Sequence, residues 1–477
     1  MTAVADYNTG FSQYAIRPTG AKSQPHPEEE IYFAGRLRIQ HTTYAISKRM
    51  TRLLTRAVSF SRGQLRPSRW RCNFAGIHRR FYSQKAERDE PLRILFCGTD
   101  SFSKESLLQL HDYSQTPESN ILSIDVVTRT DKRVGRGRKT VKPPEIKIAA
   151  EKLGLPVHQI DTFTGWQPPS FGGLKDEHCN LIIAVSFGRL IPPRILGTAK
   201  YGGLNIHPSL LPDLRGPAPI EWTILLGRRN TGVSLQTLHP SRFDEGSILT
   251  QTPRPGLEIP NADGITSSDL ESYLAPIGAK MLVDALRDKL YIPPYSPVQL
   301  DKDSPEPLHA PKLNTAFRVV DFKAVSCTEI LRRNRACGPL HAFTPFNRQS
   351  KHTGHIKFDT SLRALKEGEI PEEVQAAVQS IPEGLPYAII WSHENISESS
   401  APLIVNGKAD RDEECRQLVI PQITVGGLAP GSGAGAAGRA KLFSKPENFE
   451  PFKLYRFSQP LVTQSSLTDT TSAVTSP

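Results

Sequence analysis

The stretch LRILFCGTDSFSKESLLQLHDYSQTPESNILSIDVVT, residues 92–128, changes character twice. LRILF (92–96) and ILSIDVVT (121–128) are short apolar runs bounded by turn residues, the pattern of buried strands, whereas SKESLLQLHDY between them spaces its apolar residues at helical intervals. The alternation continues outward. LIIAV (181–185), LNI (204–206) and VSLQTL (233–238) read as further strands, EIKIAAEKLG as a helix, and PAPIEWTILLG as a helix whose prolines suit a first turn. Strand followed by helix, repeated, predicts an α/β fold: a Rossmann-like, mainly parallel sheet with helices on both faces. Ligands of such sheets bind outside the carboxyl ends of the strands.

The alternation predicts an α/β domain over residues 90–295. It stops near residue 300 in the Pro-rich YIPPYSPVQLDKDSPEP, whose residues 296–307 read as a linker. Residues 308–456 read as a small β-rich domain, with a helix around CTEILRRNRA and extended segments YAIIW, PLIVNG and QLVIPQITV. The Ser/Thr-rich tail, 457–477, has little to bury and reads as disordered.

The chain has 477 residues and a formal net charge of +11, distributed very unevenly. Residues 31–86 hold 13 of the 59 Lys and Arg and no Asp or Glu, which leaves 46 basic against 48 acidic residues elsewhere. An Arg-rich, Ser-containing, acid-free window has the composition of a mitochondrial transit peptide, and residues 1–89 are read as an extension carrying one, with its best part at 50–82. On that reading Met50 is the expected start and RRFYS, ending at Ser83, resembles a matrix-protease site. The alternative is a basic arm that binds RNA. The six cysteines include no C-x-x-C pair, which excludes a zinc ribbon or a disulfide scaffold and suits a reducing compartment. No apolar run approaches the roughly 20 residues of a bilayer span.

Two motifs are set aside. GAGAAG (433–438) spells the G-x-G-x-x-G dinucleotide fingerprint, but it lacks the preceding strand, a long following helix and a later acidic residue, and reads as a flexible Gly/Ala loop. HTGH (352–355) lacks further ligands at metal-binding spacing, so no metal is expected.

Two others carry chemistry. RTDKRVGRGRKTVK (129–142) sets seven basic residues against one acid directly after the second strand and reads as a mobile loop at the ligand face. Its candidate phosphate or nucleic-acid contacts are Arg133, Arg136, Arg138 and Lys139, against the plainer reading of a solvated charge run. In GGLNIHPSLLPDLRGPAPI (202–220), Asn205 and His207 lie two apart on a strand and project to one side. They supply donors for an oxygen that becomes negative during reaction. Ser209, Leu210, Leu211 and Pro212, with RGPAP, form a rigid loop suited to wrapping a flat ligand, and Asp244, after the next strand, is placed to orient His207 or relay a proton.

Asn205-Ile206-His207, the Ser209–Pro212 run and Asp244-Glu245-Gly246 together resemble the N10-formyltetrahydrofolate-dependent formyltransferases, marked by Asn-x-His, Ser-Leu-Leu-Pro and a later Asp-x-Gly. The wider match is similar to the methionyl-tRNA formyltransferases. ILFCGTDSFSKESL (94–107) looks like their opening strand and turn, TDKRVGRGRK like their tRNA-touching loop, and AVSFGRLIP (184–192) like their folate-pocket segment. APKLNTAFRVVDF (310–322) looks like the start of their C-terminal OB-like β-barrel. The likeness covers residues 90–260 closely and 308–456 more loosely.

The resemblance implies a formyltransferase catalytic domain at 90–295 and a tRNA-binding OB-like domain at 308–456. It implies N10-formyltetrahydrofolate as formyl donor, initiator methionyl-tRNA as partner, no metal, no membrane, a monomer, and the mitochondrial matrix as location. Asn205, His207 and Asp244 would be catalytic; Phe187, Gly188 and Ile191, with Ser209 to Pro212, would hold the folate; Arg136 would contact the acceptor stem. Other outcomes are a glycinamide ribonucleotide or nucleotide-sugar formyltransferase, or a non-catalytic RNA-binding protein on the same scaffold.

Overall fold

Strands of almost uninterrupted apolar sequence must be covered on both faces, and the computed structural model of the protein covers them. It describes residues 90–461 apart from 170–177, 300–305, 345–353, 409–414, 427 and 460. The stretch read as a presequence and residues 462–477 of the tail lie outside the described residues; at the start of the tail, read as disordered, Phe457 and Leu461 are instead buried in the core of the second region, their N–H groups donating to Pro386 and Gly384 at 2.8 Å.

The first region contains, in chain order, β1 (Leu92–Gly98), α1 (Ser101–Ser114), β2 (Ile121–Thr128), β3 (Lys132–Val134), β4 (Thr140–Lys142), α2 (Glu145–Lys152), β5 (Val157–Gln159) and β6 (Leu181–Val185). There follow α3 (Pro193–Leu196), β7 (Gly203–His207), α4 (Pro219–Leu225), β8 (Asn230–Thr231), β9 (Ser234–Thr237), β10 (Ile248–Gln251), β11 (Leu257–Glu258) and α5 (Ser267–Arg287). Seven strands form one sheet in the order β10-β9-β7-β6-β1-β2-β5. β5, β2, β1, β6 and β7 run parallel, and β9 returns antiparallel to β7.

Because successive strand residues face opposite ways, the sheet serves two cores. Ile94, Phe96, Ile183, Val185 and Leu204 pack with Phe102, Leu107 and Leu110 of α1 and with Leu274 and Leu282 of α5. Their neighbours Leu95, Cys97, Ile182 and Ala184 pack instead with Phe163, Phe187, Ile191 and Ile195. α5 begins at a reciprocal cap, in which Thr266 accepts from the Asp269 N–H and the Asp269 side chain accepts from the Thr266 backbone.

Beyond residue 306 come α6 (Cys327–Cys337), β12 (His341–Phe343), β13 (His355–Phe358), β14 (Arg363–Ala364), α7 (Glu372–Gln379), β15 (Pro386–Trp391) and β16 (Leu403–Asn406). β17 (Gln417–Ile420), β18 (Gln422–Val425), β19 (Gly431–Ser432), α8 (Gly433–Arg439), β20 (Glu447–Phe449) and β21 (Phe452–Arg456) complete the region. Its strands divide into a four-stranded sheet, β12-β13-β18-β19, and a six-stranded sheet, β14-β17-β16-β15-β21-β20. Both sheets contribute to one core, in which Ala342, Phe358 and Ile423 meet Ala388, Leu403, Val405 and Leu418.

One motif reading needs correction. GAGAAG forms helix α8 rather than a flexible loop. The Ser432 hydroxyl caps it, accepting from the Gly435 N–H at 3.2 Å, and a Cβ on Gly433 would stand 2.4 Å from the Leu403 nitrogen and 2.6 Å from the Ile420 carbonyl oxygen. The small residues let a buried helix press against strand backbone.

Just past the stretch read as a linker, residues 308–310 pair with another part of the chain. Leu214 N–H donates to the Leu308 carbonyl at 2.8 Å, Ala310 N–H to Arg215 at 2.7 Å, and Ala218 N–H to Ala310 at 3.2 Å. This strap pairs with the loop that follows β7.

Candidate active site

β7 carries Asn205 and His207 to the carboxyl end of the sheet, and β9 lies antiparallel beside it with Gln236 as the register partner of Asn205. The β9–β10 connection then brings back Asp244, in a left-handed conformation with φ +54°, a region Asp tolerates better than most residues. Asp244 Oδ1 accepts from Asn205 Nδ2 at 3.4 Å and from Gln236 Nε2 at 3.2 Å, and lies 3.4 Å from His207 Nδ1. Its Oδ2 accepts from the Gly216 N–H at 3.0 Å. The carboxylate is 11% exposed and the imidazole 6%, so this convergence sits where water screens little.

The second imidazole nitrogen, Nε2, is 3.0 Å from the Leu214 carbonyl oxygen. Both ring nitrogens thus lie near oxygen atoms of the protein.

Asn205, His207 and Asp244 line one cleft of about 720 Å³, with Phe187, Gly188 and Ile191 on an adjoining wall. The volume lies within the range typical of small-molecule sites. Ser209, Leu210 and Pro212 do not reach this cleft; they border a second one of about 450 Å³, and Leu211 is buried. After Pro208 the loop turns its polar groups inward: Ser209 Oγ donates to the Asp213 carbonyl at 2.7 Å and Leu211 N–H to Ser234 Oγ at 3.0 Å.

The basic segment is a short antiparallel hairpin, β3 with β4, whose side chains are exposed on both strands. Gly135 and Gly137, at φ +81° and +74°, make the tip around the Arg136 backbone, conformations that glycine adopts without strain. Arg133, Arg138 and Lys139 are exposed. Rather than moving as a free loop, the base is pinned: Lys147 Nζ lies 3.0 Å from Asp131 Oδ2, Gln159 Nε2 donates to Asp131 Oδ1 at 2.6 Å, and Arg129 Nη2 lies 3.2 Å from Asp161 Oδ1.

Residues 92–286 match the family model described as formyl transferase. Over 282 residues, covering 53% of this chain and 70% of the relative, the sequence is 35% identical to a protein named mitochondrial methionyl-tRNA formyltransferase from Saccharomyces cerevisiae. The chain belongs to the methionyl-tRNA formyltransferase family. The mitochondrial enzyme of Rattus norvegicus is 32% identical over 272 residues, with 56% of this chain and 62% of the relative covered. The methionyl-tRNA formyltransferase of Caldicellulosiruptor saccharolyticus is 33% identical over 243 residues, with 51% and 72% covered.

The cleft also holds groups that the sequence did not single out. Gln236 is 1% exposed and fixes Asp244 from the neighbouring strand; its signal was an amide inside the apolar run VSLQTL. His309, from the strap, also lines the cleft, and nothing local marks it. Asp100, Glu221 and Glu271 form an acidic flank. Burial pushes the Asp100 carboxyl up to about 6, and the Glu271 charge adds to this. Burial also raises Glu221, with Glu271 and Asp100 contributing. No group of three or more His, Cys, Asp or Glu suited to a metal occurs among the described residues.

Proposed function

We propose that the chain transfers the formyl group of N10-formyltetrahydrofolate to the amino group of initiator methionyl-tRNA in the mitochondrial matrix, as a monomer, supplying the starting residue of organellar translation. The observation that carries this reading is the convergence of Asn205, His207, Gln236 and the Gly216 N–H on Asp244 at the rim of a ligand-sized cleft.

The donor supplies a formyl carbon that the methionyl amine attacks. As the new C–N bond forms, the formyl oxygen gains negative charge, and Asn205 Nδ2–H and the His207 imidazole turn toward it as donors. Fixed donors aimed at a developing oxyanion are worth about 2.7–4 kcal/mol each. Asp244 accepts the proton lost by the amine and passes it on as the bond to the folate nitrogen breaks, leaving tetrahydrofolate and formylmethionyl-tRNA. Gln236 and Gly216 hold the carboxylate for this transfer. Phe187, Gly188 and Ile191 form the wall against which the folate lies, and Arg133, Arg136, Arg138 and Lys139 on the hairpin meet the tRNA acceptor stem.

The deciding experiment offers formyl-labelled N10-formyltetrahydrofolate to the full-length protein with methionyl-tRNA, glycinamide ribonucleotide and an amino-sugar nucleotide in parallel. Label on methionyl-tRNA alone supports the reading; label on another acceptor, or on none, overturns it. Matrix location is tested by import into isolated mitochondria, where a mature N-terminus near Ser83 is expected.

A further inference from the structure

The catalytic cleft has two sides, set by the two faces of the sheet. Ala184, Phe187, Ile191 and Leu238 line it and belong to the core on one face. Asn205 and His207 project to that face, because Ile206 between them packs into the opposite core. Phe102 and Ile220 line the cleft from the opposite face. Beside them stand three half-buried carboxylates: Asp100, the cap of α1, Glu221 in the first turn of α4, and Glu271 on α5. The cleft therefore passes over the carboxyl rim of the sheet, with the proposed folate wall on one side and the acidic flank on the other.

The flank has no counter-charge of its own. Asp100, Glu221 and Glu271 form no ion pair among the described residues; Ser101 Oγ donates to Glu271, and the Ser103 N–H to Asp100. Burial, and after it the neighbouring carboxylates, raise Asp100 and Glu221, and no cation is among the groups acting on either. Of the arginines that line the cleft, Arg242 pairs with Glu245 at 2.5 Å. Carboxylates gathered away from water without a cation are costly, and a ligand that brings positive charge offsets that cost. The three are the remaining wall of a cleft whose other wall and rim the proposed reaction already uses. Of its two reactants, only the acceptor is cationic at the reacting nitrogen: N10 of the donor is an amide nitrogen, whereas α-amino groups titrate at about 8, so near neutral pH the methionyl amine enters largely as ammonium.

We propose that Asp100, Glu221 and Glu271 receive the α-ammonium of the aminoacyl acceptor, and that loss of this charge on formylation releases the product. The assignment rests on methionyl-tRNA being the acceptor. Attack requires the free amine, so the docked ammonium first gives one proton to the carboxylate group, which returns it to water. Asp244 takes the second proton, released as the C–N bond forms. The amide that results has no charge to hold it at the flank, so substrate and product are told apart by the one feature that the reaction changes.

The test measures binding of methionyl-tRNA, formylmethionyl-tRNA and uncharged tRNA at pH 7 by filter retention, without folate donor, for the full-length protein and for the double substitution Glu221→Gln and Glu271→Gln. Wild type is expected to hold methionyl-tRNA about tenfold more tightly than the other two RNAs, as a charge-assisted contact provides. In the double variant the preference is expected to fall below about twofold, through weaker binding of methionyl-tRNA alone. The pair Glu221→Asp and Glu271→Asp, which keeps the charge, should retain most of the preference. Equal wild-type affinity for methionyl-tRNA and formylmethionyl-tRNA overturns the proposal, and so does a preference that survives in the double variant. A purely structural role instead predicts equal weakening toward all three RNAs with a lower melting temperature, and that result also overturns it. The two readings fail separately: labelled formyl on another acceptor, or on none, counts against the proposed reaction, whereas formylation of methionyl-tRNA by a protein that does not distinguish it from its product counts against the acidic flank.

Discussion

Asn205 and Gln236 are register partners on β7 and β9, and their side-chain amides donate to the same oxygen of Asp244, at 3.4 and 3.2 Å. Both residues line the cleft, and both amides hold the same carboxylate oxygen. Gln236 is a positioning residue, and Gln236→Leu is expected to lower kcat about tenfold or more with little effect on either KM. Gln236→Glu places a second carboxylate beside Asp244, and like charges at that distance keep one of them protonated. The acidic limb of the kcat–pH profile is expected to move upward in Gln236→Glu. A limb at the wild-type position removes Gln236 from the proton path.

Gly246 turns the chain back from Asp244 into β10. A Cβ there would stand 1.6 Å from the Thr237 carbonyl oxygen, so no side chain fits without separating β9 from β10. Gly246→Ala is expected to destabilise the protein by about 2–4 kcal/mol, read as a lower urea midpoint at unchanged m-value. A midpoint equal to wild type shows that the hairpin yields.

Asp100 caps α1, its Oδ1 accepting from the Ser103 N–H at 3.0 Å, yet burial raises its carboxyl from 3.8 to about 6. Between these values the folded chain binds more protons than the unfolded one, so stability from this group is present below pH 4 and is lost as pH rises through 6. Asp100→Asn keeps a good cap and removes the dependence. At pH 7.5 the variant should be more stable by about 1–3 kcal/mol, with no advantage at pH 4; urea midpoints at the two pH values provide the check. An equal difference at both contradicts the assignment.

The hairpin β3–β4 gives a prediction about substrate choice. Arg136→Ala is expected to raise the KM for methionyl-tRNA and to reduce its salt dependence by about one contact, while folate binding measured by fluorescence quenching is unaltered. An unchanged KM for the RNA removes the hairpin from recognition.

What could be read from the sequence follows the range of the interactions. The strands of the parallel sheet announce themselves because LRILF and LIIAV are apolar throughout, and Asn205 and His207 share a side through the two-residue period of a strand. Asp244 was legible as a carboxylate after a strand. Gln236 was not, because its role depends on β9 lying antiparallel beside β7 in one particular register, a long-range fact. The same holds for His309 and the strap, whose pairing with the loop after β7 nothing local announces. The Ser209–Pro212 run borders a second cleft, which its sequence does not announce because its rigidity is local information, whereas the direction of its turn is set by bonds to Asp213 and Ser234. In α8, glycine and alanine signal flexibility by composition, while the backbone of β16 and β17 makes them a packing requirement.

The most direct measurement of the catalytic claim is single-turnover formation of formylmethionyl-tRNA at saturating donor and acceptor, comparing wild type with His207→Ala and Asp244→Asn. The account predicts that each substitution slows the chemical step by about 10²–10³-fold while both substrates still bind. Formyl transfer at the wild-type rate in either variant contradicts it.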